Sequence, residues 1–360
     1  MTVLERTRQV LRRAQGSATR VPSRATIHGD HVLDGPTAAA SFRADEHYFQ
    51  VRVNEMFLAS SRQWFARFDP MVLVVSEFIY DKKVQAVPML VGPSMLERYG
   101  QPLPAGTILA DTRVAGPHPY KGGRLSLAVV LSQVQTENYA RSLLHVLENA
   151  AGLSFATGLG PYLPVAGVVV DGLEALLGLE AVRPLLGFRR EFDPDAGDAF
   201  APSFFALVDV PEEELDPDRL WVRGGRLLVG DDAEQARPFR DADYVLYSIV
   251  QQDATSEVEI LPFYPLWERV AEASAKAGKE DGDPNWESAR SDMRSLYQTL
   301  MASPDLTRRQ AEELTDAYVR RAQALRERGV RLAEMADEEL APEEREVRQV
   351  RDRLASILAD

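Results

Sequence analysis

Cysteine is absent from the sequence. That absence excludes disulfide bonds, thiolate-bound zinc, iron–sulfur ligation and cysteine nucleophiles together. Lysine is scarce as well, because only five of the 41 basic side chains are lysines and the others are arginines. An arginine bias of this kind is typical of GC-rich coding sequences and favours a bacterial source. A chain without cysteine suits a reducing compartment, so we expect a cytoplasmic protein.

Motifs of the common enzyme classes are also missing. The sequence has no Gly-x-Ser-x-Gly elbow, Walker loop, Gly-x-Gly-x-x-Gly fingerprint, kinase signature or His-Glu-x-x-His helix. It therefore indicates no catalytic residue, no cofactor-binding residue and no metal ligand. A catalytic triad assembled from residues that are distant in sequence stays open.

Acidic residues outnumber basic ones, and the net charge of −14 opposes a nucleic-acid partner, which would need a concentrated positive surface. Residues 1–24 are the exception and form a basic N-terminal arm. Its arginines are Arg6, Arg8, Arg12, Arg13, Arg20 and Arg24. We expect a disordered or loosely docked tail, because charged, small-residue termini seldom bury enough surface to become ordered. An arm that docks on an acidic partner or a membrane is the alternative.

Two parts of the body, residues 25–275, are rich in β-branched and aromatic residues, as strands are. In the first part, Asp81-Lys82-Lys83 separates two apolar runs and predicts the tip of a hairpin. In the second, Arg223-Gly224-Gly225-Arg226 predicts a two-residue hairpin turn. Between these parts, Leu125, Leu127, Val129 and Leu131 recur with a period of two and predict a strand with one buried face.

Residues 137–187 are predicted to be a helical insertion between the strands. Thr136 or Asn138 can cap its first helix. Residues 149–170 carry no charge but contain several glycines and prolines, which a membrane-spanning helix would not favour. We expect a buried pair of short helices that meet at a Gly-Pro pair, and a membrane-active segment is the alternative.

Residues 276–360 are predicted to be a linker followed only by helices. The turn-rich linker covers residues 276–285. The helices expected after it are Trp286–Met301, Thr307–Arg328 and Pro342–Leu358, with Gly329 as a helix stop. The last helix has a narrow apolar seam that would pack on this protein's own body or on a partner helix. The seam consists of Val347, Val350, Leu354 and Ile357.

Three groups of residues resemble metal sites weakly. His28 and His31 lie in a Gly-containing turn, without the helix that would direct two imidazoles at one ion. The loop that begins at Asp281 has oxygen ligands at EF-hand spacing but Trp286 where that loop needs glycine. We interpret the histidines as surface residues, and this loop and the acidic loop 193–198 as solvated turns.

The segment Pro117–Gly123 gathers one imidazole, one phenol and one ammonium beside flexible glycines. We interpret it as a rigid turn that precedes the strand at Leu125. The alternative is a site for a small anion or a peptide carboxylate.

Taken together, these patterns predict an α+β fold. It would comprise a β-sandwich or jelly-roll-like body with a mid-chain helical insertion, and an α-helical C-terminal region. We expect a non-enzymatic interaction or scaffold protein of a multi-component bacterial assembly, with a protein partner and no cofactor. Two alternatives stay open. One is a hydrolase in which His118 or His145 meets an acid and a hydroxyl in a pocket, and the other is a membrane-acting protein.

Overall fold

A computed structural model describes residues 2–17, 21–27, 29–34, 40–59, 62–63, 66–92, 107–135, 139–157, 159–198, 200–280, 282–338 and 350. Within these ranges the chain has six α-helices and three antiparallel sheets. The predicted α+β class is therefore confirmed. The chain divides into two compact units. The first comprises residues 1–260 and 304–307, and the second residues 261–303 and 308–360.

The helices and strands have the following bounds. The helices are α1 (Val3–Ser17), α2 (Tyr139–Thr157), α3 (Leu159–Leu177), α4 (Tyr264–Lys276), α5 (Pro284–Ala302) and α6 (Arg308–Glu338). The strands are β1 (Ser23–Ile27), β2 (Tyr48–Phe57), β3 (Arg62–Gln63), β4 (Ala66–Tyr80), β5 (Lys83–Val91), β6 (Thr107–Pro119), β7 (Leu125–Gln135), β8 (Val182–Phe192), β9 (Ser203–Val208), β10 (Leu220–Arg223), β11 (Arg226–Val229), β12 (Arg237–Pro238) and β13 (Tyr244–Gln252).

All three sheets belong to the first unit. We call the sheet with strand order β1-β9-β13-β2-β6 the first sheet. The second sheet has the order β3-β4-β7-β8, with β5 paired to β4, and the small sheet has the order β10-β11-β12. Apolar residues of both five-stranded sheets and of helices α1, α2 and α3 form one hydrophobic core.

Strand β7 differs from its prediction, because both of its faces are buried from Leu125 to Val134. Alternation in the sequence suggested a single buried face, but the residues between the leucines are alanine, valine and serine, which also fit a packed interior. Helices α1 and α2 both contact this strand.

Both predicted hairpins are present. Gly224 and Gly225 have φ angles of +55° and +69° and connect β10 to β11, as a primed two-residue turn requires. Asp81 and Lys82 form the other turn with φ angles of +48° and +59°, and Lys83 already belongs to β5.

The helical insertion is shorter than predicted. Helices α2 and α3 end at Leu177, and residues 182–192 form strand β8, which pairs with β7. Residues 182–187 were predicted to be helical but are strand, and this segment lacks a strict alternation of apolar and polar residues. A Pro-Leu-Leu run in the strand is equally compatible with a helix end.

The uncharged segment 149–170 packs into the core of the first unit. Tyr162 is fully buried and its hydroxyl donates a hydrogen bond to the Pro88 carbonyl oxygen at 2.8 Å. Val169 is fully buried, whereas the neighbouring Val168 is 63% exposed. No helix among the described residues is long and apolar enough to cross a membrane.

The N-terminal arm contains an ordered helix, unlike the expected disordered or loosely docked tail. Helix α1 buries Val10, Leu11 and Ala14 in the core. Arg8 also binds Glu77 of β4 through two nitrogens, with its Nη2 at 2.7 Å from Oε2. The three apolar residues form one helical stripe that the surrounding arginines obscure in the sequence.

The second unit contains only helices in its described part. It begins at residue 261 and includes α4, which the sequence prediction had placed in the body, residues 25–275. The segment expected as an interdomain linker instead connects α4 to α5 within this unit, and Asp283 caps α5 by accepting a hydrogen bond from the Trp286 N–H. Gly329 is not a helix stop, since α6 continues to Glu338. A Cβ at Gly329 would lie 2.3 Å from the Ala275 carbonyl oxygen, so glycine permits close approach of α6 and α4 here.

The predicted helix Pro342–Leu358 and most of its apolar seam lie outside the described residues. Those seam positions are Val347, Leu354 and Ile357. Val350 is described, and it is helical and 59% exposed.

Candidate functional site

A cavity of about 1090 Å³ lies against the first sheet. Its lining includes residues from both faces: Ile27 and Phe204 from one, and Phe205 of the main core from the other. Strand pairing places four of its lining residues in one row across the sheet: Ile27 opposite Phe204, Phe204 opposite Ser248, and Ser248 opposite Arg52. The row begins apolar on β1 and β9 and becomes polar on β13 and β2.

Alternation along β2 explains why polar groups reach this face. Phe49, Val51 and Val53 belong to the main core, so the residues between them point the other way. Arg52 is one of those intervening residues and lines the cavity, as does Asn54, which follows Val53.

The small sheet covers the other end of the same face. It is fixed there by Glu55, whose side chain is fully buried. One carboxylate oxygen, Oε2, accepts hydrogen bonds from the Leu227 N–H at 2.9 Å and the Tyr244 hydroxyl at 2.6 Å. The other, Oε1, accepts one from Arg240 at 2.9 Å. Burial and the adjacent Glu55 charge raise the pKa of Tyr244, so its hydroxyl keeps the proton that it donates.

Two irregular backbone positions meet at the cavity. Asn54 is an extra residue in β2, because the pairing of β2 with both of its neighbours skips it. Asp111 of β6 has a φ angle of +23°, which is uncommon for a residue other than glycine. Bulges redirect side chains and are frequent beside functional sites.

Asp111 connects the polar side chains of this bulged region. Its Oδ1 accepts hydrogen bonds from Arg52 Nε at 2.9 Å and from Asn54 Nδ2 at 3.2 Å. Arg52 Nη2 also donates to the Asp111 carbonyl oxygen at 2.6 Å. The Arg52 charge is therefore neutralised at the β6 end of the cavity.

Two buried polar atoms in the cavity wall have no hydrogen-bond partner among the described residues. They are Oδ1 of Asn54, a residue that is 4% exposed, and Oγ of Ser248, which is 2% exposed. A buried polar group without a partner costs about 1–3 kcal/mol.

The tip of the β10–β11 hairpin forms one wall. The Gly224 N–H donates a short hydrogen bond to the Asp34 carboxylate. Gly225 lies against Asn54, since a Cβ there would be 3.7 Å from Asn54 Nδ2. Asp34 and Asn54 therefore lie on either side of the same turn.

Arg190 of β8 lies beside β1, on the side of the first sheet that carries the main core. Its guanidinium carbon is 4.8 Å from the ring centre of Phe192 and 4.7 Å from that of Phe205, and Nη1 donates to Thr26 Oγ1 at 3.0 Å. In the described part of the chain Arg190 has no carboxylate partner, which distinguishes it from Arg52. It is the cation in the cavity that remains available to an anion.

The residues that the sequence singled out lie elsewhere, except for Gly224 and Gly225. His28 lies outside the described residues, and His31 stacks on Trp221 with its Nδ1 2.9 Å from the Leu220 carbonyl oxygen. The structure describes no group of three or more His, Asp or Glu side chains that could hold a metal ion.

In the segment 117–123, each polar side chain has an intramolecular role. Lys121 donates to Asp45 at 2.8 Å and to the Leu306 carbonyl oxygen at 2.6 Å. His118 stacks on Phe78, and burial together with the charge of Arg113 lowers the pKa of His118 to about 3. The turn is shorter than predicted, because residues 117–119 belong to β6 and only residues 120–124 connect it to β7.

The acidic loops also use their carboxylates internally. Asp193 lies 3.3 Å from Arg124, and Asp198 accepts a hydrogen bond from the Asp193 N–H at 3.1 Å. In the other loop, Asp292 pairs with Arg269 at 3.5 Å, and Asp281 lies outside the described residues.

The sequence analysis missed the cavity, although two patterns pointed to it. A serine interrupts the continuous apolar run of β13 at Ser248, and β2 places Arg52 and Asn54 between residues of the core. The bulges that bring Arg52, Asn54 and Asp111 together depend on strand pairing, which the sequence does not show. No protein-family model, curated protein or solved structure matches the chain.

Proposed function

We propose that this protein is a non-enzymatic interaction protein of a multi-component bacterial assembly, and that it binds a partner in the cavity of the first sheet. One observation carries the proposal. Asn54 and Ser248 line the cavity, and each carries a buried polar atom, Oδ1 and Oγ, without a partner among the described residues. Such atoms are expected where a bound molecule supplies the missing hydrogen bonds.

The chemistry of the lining favours binding over catalysis. Ser248 Oγ has no described base beside it to activate it as a nucleophile. Asp111 already accepts hydrogen bonds from Arg52 and Asn54, and Asp34 accepts one from Gly224. The histidines considered for a hydrolase do not line the cavity: His118 packs on Phe78, and His145 of α2 lies 3.3 Å from Asn149.

A sandwich-like arrangement of the two five-stranded sheets is part of this proposal. It is supported by the shared core, in which the Phe49 ring of β2 meets the Phe78 ring of β4 with a centroid distance of 5.1 Å. Two packed sheets would hold β2, β9 and β13 at fixed spacing, and a rigid binding surface depends on such fixed strands. In the same proposal, the helical second unit provides a further docking element.

The test compares partner capture by full-length variants in cells of the source organism. Val250 lines the cavity and is half-buried, so Val250→Trp should fill it without disturbing the main core. Ser203→Trp, at the start of β9, fills the cavity from another strand. Arg219→Gln is the control, because Arg219 is half-exposed and pairs with the exposed Asp231 away from the cavity.

We expect both tryptophan variants to lose the same partner, as measured by quantitative mass spectrometry, while Arg219→Gln retains it. Thermal unfolding of each variant shows whether the fold is kept. The proposal is wrong if folded tryptophan variants capture the same proteins as the wild type in the same amounts.

A further inference from the structure

A second pocket, of about 480 Å³, is lined by residues of β1 and β8, the strands at the ends of their sheets. It adjoins the cavity and shares Thr26, Arg190, Phe192 and Phe205 with it. Its volume lies within the usual range of small-molecule sites, which is roughly 300–1000 Å³. Among the described residues, this pocket contains two arginines without a carboxylate partner, Arg24 and Arg190.

Strand register explains how the side chains of β1 and β8 meet. Arg24 lies opposite Leu207, and Thr26 lies opposite Phe205. Both partners belong to the main core, so Arg24 and Thr26 are on the main-core face of β1. Arg190 of β8 reaches the same face, since its Nη1 donates a hydrogen bond to Thr26 Oγ1 at 3.0 Å. The two arginines therefore lie over one face of the first sheet.

Each guanidinium group lies on an aromatic ring of β8. The Arg24 guanidinium carbon is 4.6 Å from the ring centre of Phe188, and that of Arg190 is 4.8 Å from the ring centre of Phe192. Along β1, Arg24 lies two residues from Thr26, the contact of Arg190, and the two rings lie four residues apart along β8. The cations are therefore separated by roughly 7–13 Å. Because Arg24 is exposed and has no described hydrogen bond, its side chain can approach an anion that Arg190 holds.

Tyr247 of β13 lines the pocket and is 1% exposed, so it forms the buried floor. Burial raises the pKa of the Tyr247 hydroxyl, and the positive charges of Arg190 and Arg24 act against that rise. Both charges therefore act on the same part of the pocket. Arg189, which follows Phe188 on β8, differs from them because its Nη2 lies 3.0 Å from the Glu191 carboxylate.

Three carboxylates at the pocket limit the size of the anion that it admits. Glu191, Asp198 and Glu212 line the pocket and are exposed. Arg189 neutralises the first of them, whereas Glu212 has no cationic partner among the described residues. Like charges repel, so a long polyanion such as a nucleic acid is disfavoured. A compact anion can lie between the two arginines.

A phosphate monoester has the charge and the acceptor atoms that this arrangement requires. It carries about −1.5 to −2 charges at pH 7 and three strong acceptor oxygens. Guanidinium groups match phosphate with paired N–H donors. Thr26 Oγ1 accepts its hydrogen bond from Arg190, so the Thr26 O–H can be donated to a phosphate oxygen. A carboxylate has one charge, which would neutralise only one of the arginines.

We propose that this pocket binds a small phosphate monoester, with its phosphate group between Arg24 and Arg190. Thr26 donates a hydrogen bond to the phosphate, and the ester substituent lies against the half-buried Phe188 ring. This site does not depend on the partner capture proposed above, because the positions of the cavity-filling tryptophans do not line the pocket.

Calorimetry with the full-length protein tests the site with defined probes. Phenyl phosphate is the test ligand, and phenyl sulfate is its control, because it has the same shape but a single charge. Inorganic phosphate and a short phosphoserine peptide distinguish the sources of the phosphate group. The titrations are made at low ionic strength and slightly alkaline pH, where screening is weak and the phosphate monoester is doubly charged.

We expect phenyl phosphate to bind about tenfold more tightly than phenyl sulfate and inorganic phosphate, and at least as tightly as the peptide. Arg24→Gln and Arg190→Gln should each weaken phenyl phosphate binding about tenfold and reduce its preference over phenyl sulfate. Arg183→Gln is the matched control, because Arg183 is also on β8, is exposed and does not line the pocket. This variant loses the same charge and should bind like the wild type. Arg24→Gln changes an exposed side chain, so it keeps the test valid if Arg190→Gln fails to fold.

Absence of phenyl phosphate binding, or equal binding of phenyl phosphate and phenyl sulfate, would overturn the proposal. The same loss of affinity in Arg183→Gln as in the two pocket variants would show a general charge effect instead of a site. Equal affinity for inorganic phosphate would contradict the contact with the ester substituent, and clearly tighter binding of the peptide would contradict a small-molecule ligand. None of these outcomes depends on partner capture, so this proposal and the proposed function fail separately.

Discussion

Replacing Arg240 with methionine should destabilise the first unit through the buried carboxylate of Glu55. Glu55 is fully buried, and Arg240 Nη2 is the cationic donor at 2.9 Å from its Oε1. Methionine keeps an unbranched apolar side chain but removes the guanidinium, whose carbon lies 4.9 Å from the centre of the Phe57 ring. The change therefore removes the charge, its hydrogen bonds and this cation–π contact.

The expected magnitude follows from burial. Breaking a buried ion pair by removing one partner costs about 3–5 kcal/mol, because the remaining charge is left uncompensated. Since the Arg240 side chain is 30% exposed, water replaces part of the lost interaction, and we expect about 3 kcal/mol. For a unit of this size, that corresponds to a decrease in Tm of roughly 6–12 °C.

Trp221 provides a local probe for the assay. It belongs to β10 of the small sheet, and its Nε1 donates to the Gly230 carbonyl oxygen at 3.0 Å. Urea unfolding followed by tryptophan fluorescence and by far-UV circular dichroism would compare Arg240→Met with Arg219→Met. In this control the partner Asp231 is 86% exposed, and we expect a change within about 0.5 kcal/mol. Equal stability of the two variants would refute the role of Glu55 in holding the small sheet.

Three further predictions concern single elements. Val169→Arg should lower the free energy of unfolding by several kcal/mol and give insoluble protein, because it buries an unpaired charge, whereas Val168→Arg at the exposed neighbouring position should remain soluble. A soluble, folded Val169→Arg protein would contradict the core assignment. Replacing both Gly224 and Gly225 with valine should lower the free energy of unfolding by more than about 1 kcal/mol, because β-branched residues resist positive φ. An unchanged Tm would argue against the turn. His118 stays neutral in the folded chain down to about pH 3 but takes up a proton near pH 6.5 when unfolded, so its contribution to stability decreases as the pH falls through this window. His118→Gln should reduce that loss by up to about 1.4 kcal/mol per pH unit, and the same dependence of the unfolding free energy on pH in both proteins would contradict the lowered pKa of His118.

Local chemistry accounts for the parts of the fold that the sequence predicted well. The Gly224-Gly225 turn requires positive φ, and few sequences other than glycine pairs supply it so readily. The apolar run of β13 and the C-terminal helices follow from residue type and spacing alone. Such features depend on interactions between residues that are close in the chain.

The parts that were predicted poorly depend on partners distant in sequence. Helix α1 becomes ordered because its stripe packs on the core and Arg8 reaches Glu77, 69 residues away. Gly329 continues a helix because of its contact with Ala275, although glycine near a helix end usually stops it. The cavity needs the β2 bulge at Asn54, which the pairing with β6 and β13 creates.

Photo-cross-linking from inside the cavity tests the central claim most directly. A benzophenone amino acid would replace Phe204 in the cavity of the full-length protein, and in a second strain would replace Val168 on the exposed face of α3. After irradiation of living cells, mass spectrometry would locate the cross-linked residue in any partner. The account predicts a partner that is cross-linked from position 204 and that is not cross-linked from position 168. The same cross-links from both positions, or none from position 204, would contradict it.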